Sequence, residues 1–430
     1  MGFPNQLKWL AWPVVVLIFF QWHFTYVNNK VAFNLADIFA IITLLALSIS
    51  LVFKRQLPVW RFARFNLFLL LFSMVLIEGF VHGLITIGIT QWALVSRILG
   101  WFVLLGYLSA GYVLVHSGNK SALNKISLVL GFVFSVTIFV GVLIRLANIW
   151  GWHGLNSATN FEGFSANRNA LALQLVVVLS LLLGQVTSIQ SVKRKCFINC
   201  DTNTILIAVL IFGLALSGSR AGWITVIIMF FFSAWKNPYS RPVIMKSVFL
   251  AILMYLLVFI VGLLGNLCSV GNLCSVSSLF SLGISELLSV LGSVGSQVSS
   301  PASNLERVAT LKYGFDLWRN NPIFGAGLGS FNFHSLTWFG HATVIHSTPL
   351  WLLAELGLVG FTLVLWPLWF AWKTLIKHQQ DVNSRILVSL IISVAVFAQF
   401  HEIFYQRIIW LVLGATLALP IVSIKSQLDE

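Results

Sequence analysis

Apolar residues run through this chain in long blocks, not in the short alternations of a half-buried strand. "KWLAWPVVVLIFFQW" near the start, "ILIAVLIFGLAL" and "ITVIIMFFFSAW" in the middle, and "HSTPLWLLAELGLVGFTLVLW" toward the end are representative. Blocks of about 17–25 residues suit helices that cross a bilayer, whereas barrel strands alternate over about 10. A helix also pairs its own backbone groups, as lipid requires. The blocks predict spans near 9–26, 35–53, 66–88, 91–116, 126–149, 169–190, 204–219, 221–236, 247–265, 346–371, 386–402 and 408–424. The expected fold is an all-α polytopic membrane protein of about twelve transmembrane helices, one membrane domain over residues 1–430. The first block is long enough to remain as a span and not be removed as a leader. Before the tenth span, residues 266–345 form the expected large external loop with short helices.

Composition agrees. The 430 residues are 58% hydrophobic and 9% charged, with a mean hydropathy of +0.93. A soluble domain carries roughly 25% charged residues. The net charge of +14 does not call for nucleic acid. With the N-terminus in the cytoplasm, seventeen of the 26 Lys and Arg fall on the cytoplasmic side of the predicted spans, and both termini lie there.

The two sides differ in kind as well as number. The cytoplasmic set is eleven Lys and six Arg. The remainder is Lys30 and Lys312 with Arg97, Arg145, Arg168, Arg220, Arg307, Arg319 and Arg407. Lys serves as an orientation charge, whereas Arg presents a planar fork that grips phosphate oxygens at two points. An external excess of Arg points to an anion there. Arg97 and Arg145 fit equally well at headgroup level, against lipid phosphates.

"SGSRAGW" places Arg220 between two spans with almost no loop between them. Gly218 and Gly222 permit close backbone approach, and Ser217 and Ser219 flank the same turn as candidate contacts. A cation at the membrane edge is a functional candidate. A lipid-linked diphosphate fits it in charge and depth; an internal acid or an ordinary lipid are the alternatives. His346 opens the span that closes the large loop. An imidazole there can take a proton from an attacking hydroxyl, or simply hydrogen-bond in the interface. Glu355 on a continuous helix would lie about 13 Å deeper on the opposite side, and is expected to bond a neighbouring helix. In "FEGFSANRNALALQ", Asn167, Arg168 and Asn169 stand at an external mouth. Asn amides suit sugar hydroxyls and equally cap helices.

Other features are less pointed. Glu78 and His82, one turn apart, are expected as a buried polar pair, and His401, Glu402 and Arg407 as local partners at the last external turn. Cys196 and Cys200 read as incidental thiols. Cys268 and Cys274, in the tandem "GNLCSVGNLCSV", are able to close a small disulfide on an oxidising side. No cysteine spacing suits zinc, and the external carboxylates Glu162, Glu306 and Asp316 are scattered, so no metal site is expected. Residues 276–292 suit a helix lying on the membrane. Beyond it, a helix is expected from an Asn304 cap to Pro322, followed by a plain turn at "GAGLGS".

Five segments, "GFSANRNALA", "SGSRAGW", "ERVATLKYGFDLW", "NPIFGAGLGSF" and "HSTPLWLLAELGLVGF", resemble the O-antigen ligase and O-antigen polymerase family of bacterial membrane glycosyltransferases, in that family's order over about residues 163–370. The resemblance implies transfer of a glycan from undecaprenyl diphosphate to an acceptor hydroxyl at the periplasmic face of the inner membrane, without metal or cofactor. It implies that Arg220 and Arg307 hold the diphosphate and stabilise it as it leaves, and that His346 is the base. The leading member is the ligase, whose acceptor is lipid A–core oligosaccharide. A polymerase would extend the growing glycan on its carrier, and protein O-oligosaccharyltransferases are a third, longer kind. A transporter or flippase, the alternative of another class, would show similar halves with polar breaks at the midplane; no convincing half-repeat is present. Two positions depart from the family pattern. Asn167-Arg168-Asn169 stands where Asn-Pro-Asn is frequent, and His346-Ser347 where His-Asn is frequent, which bears on how the histidine is oriented.

Overall fold

The computed structural model describes residues 7–26, 29–55, 58–60, 62, 64–116, 120–149, 161–165, 167–186, 201–269, 301–377 and 381–418. In chain order these form α1 (Lys8–Leu17), β1 (Gln21–Tyr26), β2 (Asn29–Asn34), α2 (Ala36–Lys54), α3 (Phe65–Ile87), α4 (Trp92–His116), α5 (Lys120–Ile149), α6 (Arg168–Gly184), α7 (Thr202–Ser217), α8 (Arg220–Lys236), α9 (Ser240–Ser269), α10 (Pro301–Asn320), α11 (Ser330–Phe339), α12 (Thr348–Lys377), α13 (Val382–Phe397) and α14 (Arg407–Leu417). Among the described residues, six helices are long and apolar enough to cross a membrane: α2, α3, α4, and most of α5, α9 and α12. The molecule is a helical, multi-pass membrane protein. The Cys268–Cys274 disulfide and the 276–292 surface helix lie outside the described residues.

The expected span at 9–26 is corrected. α1 has ten residues, about 15 Å of helix against a hydrocarbon core of about 30 Å. Gln21–Tyr26 then pairs antiparallel with Asn29–Asn34, Trp22 opposite Phe33 and Phe24 opposite Val31. The reason is visible in the pattern. Trp22, Phe24 and Tyr26 alternate with His23 and Thr25, a period of two that suits a strand. At the hairpin's base, Asn34 donates to the Ile18 carbonyl at 2.7 Å and accepts from the Ala36 amide at 2.8 Å.

The chain divides into two compact units, residues 1–129 with 307–430, and residues 130–306. In the first, α4 is central and buried on nearly every side from Leu104 to Val115. Small residues let its neighbours close in: Gly106 meets the Ala40 backbone of α2, and Gly111 meets Leu411 and Ala415 of α14. Without a hydrophobic drive between helices in lipid, such close backbone packing is what holds them. In the second unit, α6 is the buried element, with every residue from Leu171 to Gly184 enclosed. Its neighbours are α7 and α8.

Two further expectations are corrected. α10 starts at Pro301, so Asn304 lies inside its first turn and does not cap it. A proline at the first helical position gives up no hydrogen bond and is already set to helical φ. The span after His346 is not continuous. α12 breaks at Gly357, whose φ of 65° is left-handed.

Candidate functional site

Six of the sequence-marked residues, Asn167, Arg168, Asn169, Ser217, Ser219 and Arg220, lie in the second unit. Asn167 caps α6, accepting from the Asn169 amide at 2.8 Å and the Ala170 amide at 3.4 Å. Ser219 caps α8, accepting from the Gly222 amide at 3.3 Å. Its hydroxyl also donates to the Asn169 side-chain carbonyl at 2.9 Å. That bond ties two helix N-termini together. Arg168 and Arg220 are the first helical residues at those two ends. Neither helix has an acidic residue in its first turn. Helix N-termini carry partial positive charge and favour anions. Two of them, each led by a guanidinium, make a strongly electropositive locus. Ser217 is spent locally: its hydroxyl donates to the Leu214 carbonyl and accepts from the Ser219 amide. Of the residues read as sugar contacts, Asn167 is a cap, and the Asn169 side chain is engaged with Ser219.

His346 and Arg307 belong to the first unit. Ser347 caps α12, its hydroxyl accepting from the Leu350 amide at 3.4 Å. Thr348 clamps this corner to the turn before α14. Its amide donates to the Ala398 carbonyl at 2.9 Å, its hydroxyl donates to the His401 carbonyl at 3.0 Å, and the Ile403 amide donates to that hydroxyl at 2.9 Å. The His346 and His401 rings meet edge to face, centroids 6.1 Å apart. Arg307 lies on α10, whose Gly314 two turns on rests against Ile345 and Leu350, the neighbours of the histidine corner.

The "GAGLGS" turn does more than reverse the chain. The Ala326 and Gly327 amides donate to the Ala354 and Glu355 carbonyls, and the Leu328 amide to the Gly79 carbonyl of α3. On the far side of the Gly357 break, the Leu358 and Val359 amides donate to the Pro322 and Ile323 carbonyls. The loop is threaded between α3 and the opened α12, and it satisfies the backbone groups that the break frees. Irregular backbone within a membrane protein is tolerated only when so paired.

Glu355 is buried at this junction. It accepts from Trp351 Nε1 at 2.8 Å and from the Gly329 and Phe331 amides, so it bonds its own helix and the turn. Gly79 and Gly83 occupy the buried face of α3 against Gly327 and Leu328. Glu78 and His82 are thereby left on a more open face with Met74, Ile77, Val81 and Ile85, not buried as expected.

Arg97, read as a headgroup contact, is instead 2% exposed and paired with Glu402 at 3.2 Å. Its guanidinium lies 4.3 Å from the Trp351 ring centroid and 4.8 Å from that of Tyr405. Burial pushes the Tyr405 hydroxyl well above its usual range, against the pull of Arg97, so it stays neutral. Arg407 grips Asp37 at two points, 2.6 and 2.7 Å, and Tyr107 donates to the same carboxylate at 2.9 Å. Glu402 and Arg407 thus find partners on α4 and α2, not within their own turn. Among the described residues, no group of three His, Cys, Asp or Glu is placed to hold a metal ion.

Residues 205–365 match the family model described as O-antigen ligase. The matched stretch contains Arg220, Arg307 and His346. A comparison with curated proteins found no match.

Proposed function

We infer from the O-antigen ligase match over residues 205–365, which supports assigning the chain to that family and to glycan transfer in O-antigen processing, that the protein moves a glycan from undecaprenyl diphosphate to a hydroxyl of lipid A–core oligosaccharide at the periplasmic face of the inner membrane. The acceptor oxygen attacks the anomeric carbon, the bond from that carbon to the diphosphate oxygen breaks, and the bonding pair leaves with the diphosphate. The acceptor proton passes to an imidazole nitrogen of His346. Arg220, with Arg168 beside it, and Arg307 hold the diphosphate and receive its growing charge. Fixed donors do this better than water, because they need no reorganisation as the charge develops.

The observation that carries this reading is the Ser219–Asn169 hydrogen bond, which sets two arginine-led helix N-termini together. Such a pair suits an anion of phosphate chemistry. The test is complementation of a ligase-null strain, read as lipopolysaccharide on gels. Restored O-antigen capping of lipid A–core is expected, with loss on His346→Ala at equal protein levels. Longer glycan on the carrier with no capping would make the protein a polymerase. Solute movement in liposomes without glycan transfer would make it a transporter.

A further inference from the structure

Three amphipathic rings lie stacked beside the His346 corner. Tyr313 of α10 and Trp338 of α11 are parallel to within 9°, with centroids 4.5 Å apart. His334 stacks on Trp338 at 5.5 Å and 26°. Phe331 and Phe339 support the stack edge-on, against Trp338 and Tyr313 respectively. Tyr313, Trp338 and His334 are each half-exposed. Among the described residues, no hydrogen bond from the protein engages the Tyr313 hydroxyl, the Trp338 indole N–H or the His334 ring, and none of these polar atoms is buried. Rings that serve only as a core hide their faces and pair their polar edges. These keep their polar edges open.

The stack is also fastened to the catalytic corner. Gly314, next to Tyr313, sits so close to Ile345 that an added Cβ would come within 3.0 Å of its Cδ1. From α11, the Asn332 side-chain Nδ2 donates to the Thr343 carbonyl at 3.2 Å, and Ser335 Oγ accepts from the Thr343 amide at 3.0 Å. Both helices therefore grip the segment that runs into His346.

We propose that Tyr313, Trp338 and His334 form a saccharide platform, which receives a sugar ring of the acceptor and brings its hydroxyl toward His346. A pyranose has an apolar C–H face that packs on an aromatic plane and a rim of hydroxyls that pairs with donors and acceptors at the ring edges. An acyl chain would leave those edges unmatched, and a phosphate would find no cation within the stack. The proposal rests on the glycan-transfer reading and adds the acceptor's location to it.

The test uses full-length protein in nanodiscs, with a lipid-linked glycan donor and lipid A–core isolated from a ligase-null strain as acceptor. Trp338→Ala raises the acceptor KM by about tenfold, the scale of one stacking contact, more than it lowers kcat and with little effect on the donor KM. Trp338→Phe restores most of the difference. An acceptor KM that stays at the wild-type value, or a matching rise in donor KM, overturns the platform. If Trp338→Ala lowers the thermal midpoint, Tyr313→Leu and His334→Ala at the ends of the stack are measured in its place. Wild-type acceptor KM in both overturns the proposal. Saturation-transfer NMR with free core oligosaccharide separates the two readings. Trp338-dependent binding without any transfer leaves the platform standing and removes the ligase reading, whereas transfer with unaltered acceptor KM does the reverse.

Discussion

An arginine at the edge of a bilayer must find a partner, and Arg97 and Arg220 find theirs in different ways. Arg97 is enclosed by Trp351, Tyr405 and the Glu402 carboxylate, all supplied by the protein. Removing one member of a buried pair costs about 3–5 kcal/mol, mostly for the charge left behind. Arg97→Met is therefore expected to lower the thermal midpoint in detergent sharply, and Arg97→Met with Glu402→Met to recover part of it. A double variant no more stable than the single one would show that the pair is not the source. Arg220 is exposed at the first position of α8, where the helix dipole opposes a cation. Arg220→Lys keeps the charge and loses the fork. The expected result is an unshifted midpoint with transfer reduced on the order of a hundredfold, and wild-type turnover would remove the diphosphate role. Sequence could not separate these two residues. Both are arginines at predicted external edges, and the acid that claims Arg97 lies far along the chain, in the turn before α14.

At the scale of elements, the apolar blocks were legible as helices, and among the described residues six of them are long and apolar enough to cross a membrane. Most predicted boundaries fall within a few residues of the helices. Gln21–Tyr26 was not legible by that measure, since Trp, Phe and Tyr raise hydropathy as much as a lipid-facing helix would; only their period of two gave the strand away. The "GAGLGS" segment was readable as a turn. A turn signal records a change of direction and says nothing of depth, so the insertion between α3 and the broken α12 could not be read. The glycines do carry the reason. Gly327 has a φ of 91°, and an added Cβ would collide with the Gly83 backbone. Gly340 has a similar φ of 74° with nothing nearby. Gly340→Ala thus bears conformational strain alone, about 1 kcal/mol, while Gly327→Ala adds the clash, for about 3 kcal/mol or more. Comparing their midpoints checks this, and equal losses would mean that the turn does not sit tightly on α3.

For the molecule as a whole, the proposed transfer raises the question of what would neutralise a diphosphate as it leaves. Glycosyl transfer from a diphosphate needs positive charge at the departing oxygens, and a divalent ion is one source. Such an ion wants oxygen ligands gathered in one place. Here three acids of the first unit are committed elsewhere: Asp37 to Arg407 and Tyr107, Glu402 to Arg97, and Glu355 to Trp351 and the glycine turn. The cations, by contrast, stand at helix starts, with Arg168 and Arg220 joined through Asn169 and Ser219. This distribution favours guanidinium and peptide dipoles as the counter-charge. The expectation is that transfer by the purified protein continues in excess EDTA and gains nothing from added Mg²⁺. Inhibition by EDTA that Mg²⁺ reverses would mean that the arginines share the task with a bound metal.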